Sequence, residues 1–250
     1  MIQNIVQWIK NYCNENEIHS LIVGVSGGID SAVTSTLCAL TGLPTFAIGM
    51  PLHQNLEQEN LSDAHLKWLT KHSNVQIEKI NLTEVYDSFI STMQKNIGDI
   101  AYNDLASANT KSRLRMITLY HLAQIHSGIV VGTGNKVEDF GVGFFTKYGD
   151  GGVDIAPIAH LFKSQVYDIA KELQIDKRII KAKPTDGLWE DGRTDEEQME
   201  ASYDELEWAM EYSGSEDDLT DRQRIVLDIY NKYHQKNLHK MKPIPVIKYD

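Results

Sequence analysis

Residues Ser20–Ala32 read Ser-Leu-Ile-Val-Gly-Val-Ser-Gly-Gly-Ile-Asp-Ser-Ala. The first six are a short apolar run with β-branched Ile22, Val23 and Val25, the pattern of a buried strand. Ser26-Gly27-Gly28 breaks the run, and a helical pattern starts near Asp30 and continues to Leu40. Working outward, the same alternation recurs. Residues 45–50, 75–80 and 129–132 read as further strands. Helical spacing appears over 2–15, 58–72, 83–94, 104–126, 163–174, 195–212 and 220–235. Between Gly132 and Gly152 glycines are too dense for a regular element. Strands alternating with helices predict an α/β fold: a doubly wound, mostly parallel sheet flanked by helices. The last helices form a C-terminal elaboration, and residues 1–250 read as one domain.

The glycine turn is also chemical. Gly24, Val25, Ser26, Gly27, Gly28, Ile29, Asp30 and Ser31 close a strand and open a helix, which is where backbone N–H groups and the helix dipole favour anions. Ser26 and Ser31 can donate hydroxyl hydrogen bonds to the same oxygens. A bare Asp30 carboxylate would repel a phosphate, so it makes sense as a holder of Mg²⁺. The stretch is neither the Walker loop, since it has no lysine, nor G-x-G-x-x-G.

A second constellation lies downstream. Residues 132–138 read Gly-Thr-Gly-Asn-Lys-Val-Glu, and 145–157 read Phe-Thr-Lys-Tyr-Gly-Asp-Gly-Gly-Val-Asp-Ile-Ala-Pro. Thr133 and Glu138 follow the last strand, at the carboxyl end of the sheet where ligands bind in open α/β folds. Glu138 is thus a candidate second carboxylate for Mg²⁺.

Gly-Val-Ser-Gly-Gly-Ile-Asp-Ser resembles the pyrophosphate loop of the N-type ATP pyrophosphatases, a Rossmann-like group that splits ATP into AMP and pyrophosphate. Four further stretches narrow the resemblance to the NAD synthetase family: 132–163, Asn109-Thr-Lys-Ser-Arg-Leu-Arg-Met116, Lys183-Pro-Thr-Asp-Gly-Leu-Trp189 and His239-Lys240. Together with the loop they run from residue 24 to 240. The resemblance implies ammonia-dependent, ATP-driven amidation of deamido-NAD to NAD through an adenylated carboxylate. It implies ATP contacts from the 24–31 loop, Thr133, Lys163 and Thr185, with Mg²⁺ on Asp30 and Glu138. Arg113, Lys147, Asp154, His239 and Lys240 correspond to positions that contact deamido-NAD, and Arg115 could exchange roles with Arg113. Asp30, Glu138 and Lys163 are the candidate catalytic residues, and Asp150 is a candidate for orienting ammonia. A homodimer is also implied, with Leu114, Ile117, Leu119 and Leu122 readable either as its interface or as core. The segment of about 184–200 reads as a loop leading into a helix, expected to be mobile without ATP and to order on binding it.

Composition excludes much else. The 24 Lys and Arg against 35 Asp and Glu give a formal net charge of −11, which argues against a nucleic-acid binder. Asp195–Asp221 holds 12 of the acids and no Lys or Arg, leaving 24 basic against 23 acidic residues elsewhere. That stretch reads as a solvated face away from the phosphates. Cys13 and Cys38 are too few for a disulfide framework, so a reducing, cytoplasmic setting is expected. No apolar run is long enough to span a membrane. Only 23 residues precede Gly24, too few for a glutaminase domain, so free ammonia is the expected nitrogen source.

Overall fold

The computed structural model describes residues 1–98, 103–189 and 191–247. Its centre is a four-stranded parallel sheet of β1 (Ser20–Gly24), β2 (Thr45–Gly49), β3 (Val75–Lys79) and β4 (Gly128–Val131), ordered β3-β2-β1-β4. Leu21 pairs with Thr45 on one side of β1 and with Ile129 on the other. A parallel bridge from Val131 to Ile155 continues the sheet beyond β4.

Period-two side chains split the core between the two faces. Leu21, Val23, Ala47, Ile129 and Val131 pack beneath α1 (Ile2–Glu15), α2 (Ile29–Leu40) and α6 (Lys163–Glu172). Both cysteines are buried in this layer and free. Ile22, Phe46, Ile48 and Val130 face the other way, against Leu122 and Ala123 of α5 (Asp104–Ile125). Leu114 and Leu119 pack partly into this second layer, whereas Ile117 stays exposed. α3 (Leu56–Leu69) sits on the first face, and α4 (Thr83–Ile97) buries none of its residues.

Three expectations are corrected. The glycine-rich stretch is not all irregular, because Val137–Val142 form a π-helical turn ended by Gly143 in the left-handed region. The single helix expected over 195–212 is two, α8 (Asp195–Met199) and α9 (Tyr203–Glu211). Glu200 takes φ 60° and Ser202 starts a new capping box with Glu205. A short α7 (Lys177–Lys181) was not foreseen, and α10 runs from Asp221 to Met241, past the expected end at 235. α8 to α10 share a third core with the π turn, through Val137, Val142, Met199, Leu206 and Val226.

The order places the switch between β1 and β4. The chain steps outward from β1 to β3, then crosses back to the other side of β1. Loops leaving adjacent strands diverge there, and the crevice outside their carboxyl ends is where such folds bind ligands.

Candidate active site

A cavity of about 280 Å³ opens at that crevice. The whole 24–31 loop lines it, with Thr133, Glu138, Asp150, Lys163 and Thr185. Every residue expected at the ATP and catalytic positions is therefore on one wall or another. Arg113, Lys147, Asp154, His239 and Lys240 are not on its walls.

The loop is shaped before any ligand contributes. Gly27 has φ 92°, and a Cβ there would sit 2.6 Å from the Gln58 carbonyl oxygen and 2.9 Å from the Ser62 nitrogen. Only glycine fits both demands. The Ser31 hydroxyl donates to the Gly28 carbonyl and accepts from the Ser26 N–H, and the Gly28 N–H donates to Ser26 Oγ. Behind the loop, the first-turn N–H groups of α2 lack intrahelical acceptors and point at the crevice.

Lys163 is the electrostatic centre. It begins α6, is 2% exposed, and donates to Asp30 Oδ2 at 2.6 Å and to Glu138 Oε1 at 3.2 Å. Asn135 Nδ2 donates to Asp30 Oδ1, so both acids are fixed. Burial opposes the lysine's charge, but the two carboxylates outweigh it and hold the ammonium protonated well above its usual range. Burial pushes the Glu138 carboxyl up, against the pull of Lys163. Asp30 and Glu138 are hard oxygen donors that converge on Lys163 beside the glycine turn. No group of three or more His, Cys, Asp and Glu is placed to hold a metal among the described residues. Two carboxylates with substrate phosphates completing the shell suit Mg²⁺, so the donor set fits that ion.

Asp150 lines the cavity with its carboxylate engaged. Oδ1 accepts from the Ser112 hydroxyl at 2.6 Å and from the Thr146 N–H at 3.0 Å. Thr185 donates to the Arg193 carbonyl and accepts from the Gly187 N–H. Its segment folds over the crevice on a hub at Asp186, which accepts from Trp189 Nε1 and Gln198 Nε2.

The five residues outside the cavity make protein contacts. Arg113 donates to the Lys147 carbonyl, Lys147 to the His239 carbonyl and Lys240 to the Phe145 carbonyl. Asp154 accepts from the Val130 N–H and the Tyr120 hydroxyl. Arg115, not Arg113, reaches the cavity wall, donating to the Met50 carbonyl and toward Gln54.

Sequence reading missed three groups. Asp139 lines the cavity, and a Cβ on Gly134 would lie 2.2 Å from its carboxylate, which explains the second glycine of Gly-Thr-Gly. Burial, then the neighbouring Glu138 charge, pushes its acid up to about 8. Asp195 overturns the reading of 195–221 as wholly solvated: it is 6% exposed and also lines the cavity. Tyr203 donates to Glu138 from α9. The capping motifs Thr194-x-x-Glu197 and Ser202-x-x-Glu205 mark where these helices start, but nothing local shows that they turn inward.

Fold and site together define a doubly wound α/β protein with a cavity lined by a glycine turn at its switch point. Residues 1–244 match the model of the NAD synthase family. An NH(3)-dependent NAD(+) synthetase of Carboxydothermus hydrogenoformans is 37% identical over 248 residues, 98% of this chain and 95% of that one. One from Finegoldia magna is 38% identical over 208 residues, 83% and 82% of the two chains. A solved NMN synthetase from Francisella tularensis superposes with a TM-score of 0.88 at 32% identity, over 99% of this chain and 97% of that one. The chain belongs to the NAD synthase family.

Proposed function

We propose that this chain is an ATP-dependent ligase that amidates the nicotinate carboxylate of deamido-NAD with ammonia, releasing AMP and pyrophosphate and completing NAD biosynthesis. The observation that carries the reading is Lys163, held between Asp30 and Glu138 beside the glycine turn. A free carboxylate is a poor acyl donor. Its oxygen attacks the α-phosphorus of ATP, and the bond to pyrophosphate breaks. Ammonia then adds to the acyl carbon, loses a proton, and AMP leaves with the carboxylate oxygen.

The chain's residues supply position and charge. The 24–31 loop binds phosphate oxygens through N–H and hydroxyl donors. The Lys163 ammonium follows the negative charge that builds on the leaving pyrophosphate. Thr133 and Thr185 hold the nucleotide from the cavity wall, and Asp150 orients the incoming nitrogen. Asp30 and Glu138 would hold Mg²⁺, whose chemistry there is to neutralise phosphate charge.

Relatives named as NH(3)-dependent, matched over nearly their whole length, support free ammonia as the nitrogen source and one domain over 1–250. The exposed apolar side chains Val85, Phe89 and Ile97 on α4, with Leu105 and Ile117 on α5, support a homodimer through that face. No helix among the described residues is long and apolar enough to cross a membrane. The two free buried cysteines support a cytoplasmic setting.

A second reading keeps the chemistry and shortens the substrate. The Francisella tularensis relative is an NMN synthetase, and the five residues expected to grip deamido-NAD lie outside the cavity. The acid amidated would then be nicotinate mononucleotide. Purified chain with ATP, ammonium and each acid in turn decides. The first reading expects AMP, pyrophosphate and NAD in equal amounts, with kcat/KM higher for deamido-NAD. Higher kcat/KM for the mononucleotide selects the second, and AMP formation with neither acid overturns both.

A further inference from the structure

Asp195 has a buried carboxyl that no sequence motif assigned. Its Oδ1 has no hydrogen-bond partner among the described residues. Its Oδ2 lies 3.2 Å from the Tyr203 hydroxyl, and that hydroxyl lies 2.6 Å from Glu138 Oε1. A phenol carries one proton. It cannot donate to two carboxylates at once, so one of the two contacts needs a proton brought by a carboxyl. Glu138 already faces an ammonium, with Lys163 Nζ at 3.2 Å, and takes the phenol proton as a carboxylate. Asp195 has no cation in hydrogen-bonding contact among the described residues.

We infer that Asp195 is a neutral acid that donates to Tyr203, and that the pair positions the Glu138 carboxylate against Lys163. Charging Asp195 would bury an anion with one oxygen unpaired, which is costly. Around it stand Tyr203 from α9, Glu138 from the π turn, Lys163 from α6 and Asp186 from the overlying segment. Burial first, then the Glu138 charge, pushes its acid up to about 8. The Asp195 N–H also donates to the Pro184 carbonyl, so one residue ties the segment over the crevice to the acid beneath it. Neither Asp195 nor Tyr203 supplies a reacting atom; both are positioning residues. The role rests on the amidating reading above.

Three variants test it: Tyr203→Phe, Asp195→Ala and Asp195→Asn. Tyr203→Phe and Asp195→Ala should lower kcat roughly ten- to hundredfold, with KM for ATP moved less than about threefold. Asp195→Asn offers an amide N–H where the acid offered O–H, and should regain most of the rate that alanine loses. A readout without turnover accompanies this. The infrared difference between the unmodified chain and Asp195→Asn should contain a protonated-carboxyl stretch that shifts in deuterium oxide. Asparagine as slow as alanine, or absence of that band, overturns the proposal. If the unmodified chain amidates neither acid, the functional reading falls, and the band alone then decides the state of Asp195.

Discussion

Lys163 neutralises two acids that would otherwise repel each other, and its removal should be felt twice. Lys163→Met leaves Asp30 and Glu138 facing without a counter-charge, and breaking such a buried group by removing one partner costs about 3–5 kcal/mol. Pyrophosphate release should also slow roughly 10²–10³-fold. Melting temperature and a pyrophosphate assay check the two effects. His65 gives a second prediction, on pH. It is 1% exposed and its Nε2 meets Ser35 Oγ at 2.9 Å. Burial pushes its pKa down from 6.5 to about 4. As pH falls, the unfolded chain takes up the proton first. This group's stability contribution is therefore full above about pH 6.5 and lost progressively toward pH 4, up to about 3 kcal/mol. His65→Gln should flatten that acid limb in urea melts taken at pH 7.5 and pH 5, and an unchanged limb assigns it elsewhere. Legibility at this scale depended on motif density. Asp30 and Glu138 lay inside runs whose residue types already made chemical sense, and Lys163 was reached through the family resemblance. Arg113 and Arg115 did not separate, because two steps along a helix turn roughly 200° and only the packed structure tells which side meets the cavity.

At the scale of elements, the π turn carries Glu138 and is held by α10. His234 Nδ1 meets the Gly141 carbonyl at 2.6 Å, and Asn237 Nδ2 donates to the Val142 carbonyl at 2.8 Å. These are carbonyls that an irregular turn leaves to side chains. Gly143 ends the turn with φ 66°, and a Cβ there would lie 2.5 Å from Asn237 Cβ. Gly143→Ala should therefore cost about 1–3 kcal/mol through overlap and strain, and lower kcat because Glu138 moves with the turn. A lower melting temperature with unchanged kcat would place Gly143 in the scaffold alone. β1, β2 and β4 were readable from apolar runs ended by glycine, and β3 from the period-two alternation that starts Val75-Gln-Ile-Glu. The π turn was not, since six residues, Gly141 among them, show no period. The break between α8 and α9 was signalled by Ser202-x-x-Glu205 but masked by continuous helical spacing across it.

At the scale of the molecule, charge and apolar surface divide the labour. Much of the acidic stretch remains on the outside, as expected, and part of it is internally engaged: Glu205 pairs with Arg222, and Glu207 accepts from the Ser164 N–H and hydroxyl. The exposed apolar side chains of α4 and α5 supply the dimer prediction. Phe89→Asp combined with Ile117→Asp should shift the purified chain from the mass of two copies to one by light scattering, and leave the far-ultraviolet dichroism unchanged. A single-copy mass for the unmodified chain would remove the dimer. The strand order has a consequence in time. β1 lies inside the sheet, yet its neighbour on one side, β4, is more than a hundred residues later in the chain. On the ribosome, β2 can dock as soon as it emerges, but the other edge of β1 stays open until residue 131 has been made. The cavity forms only when that long loop closes, so its closure is the slow, aggregation-exposed step of folding.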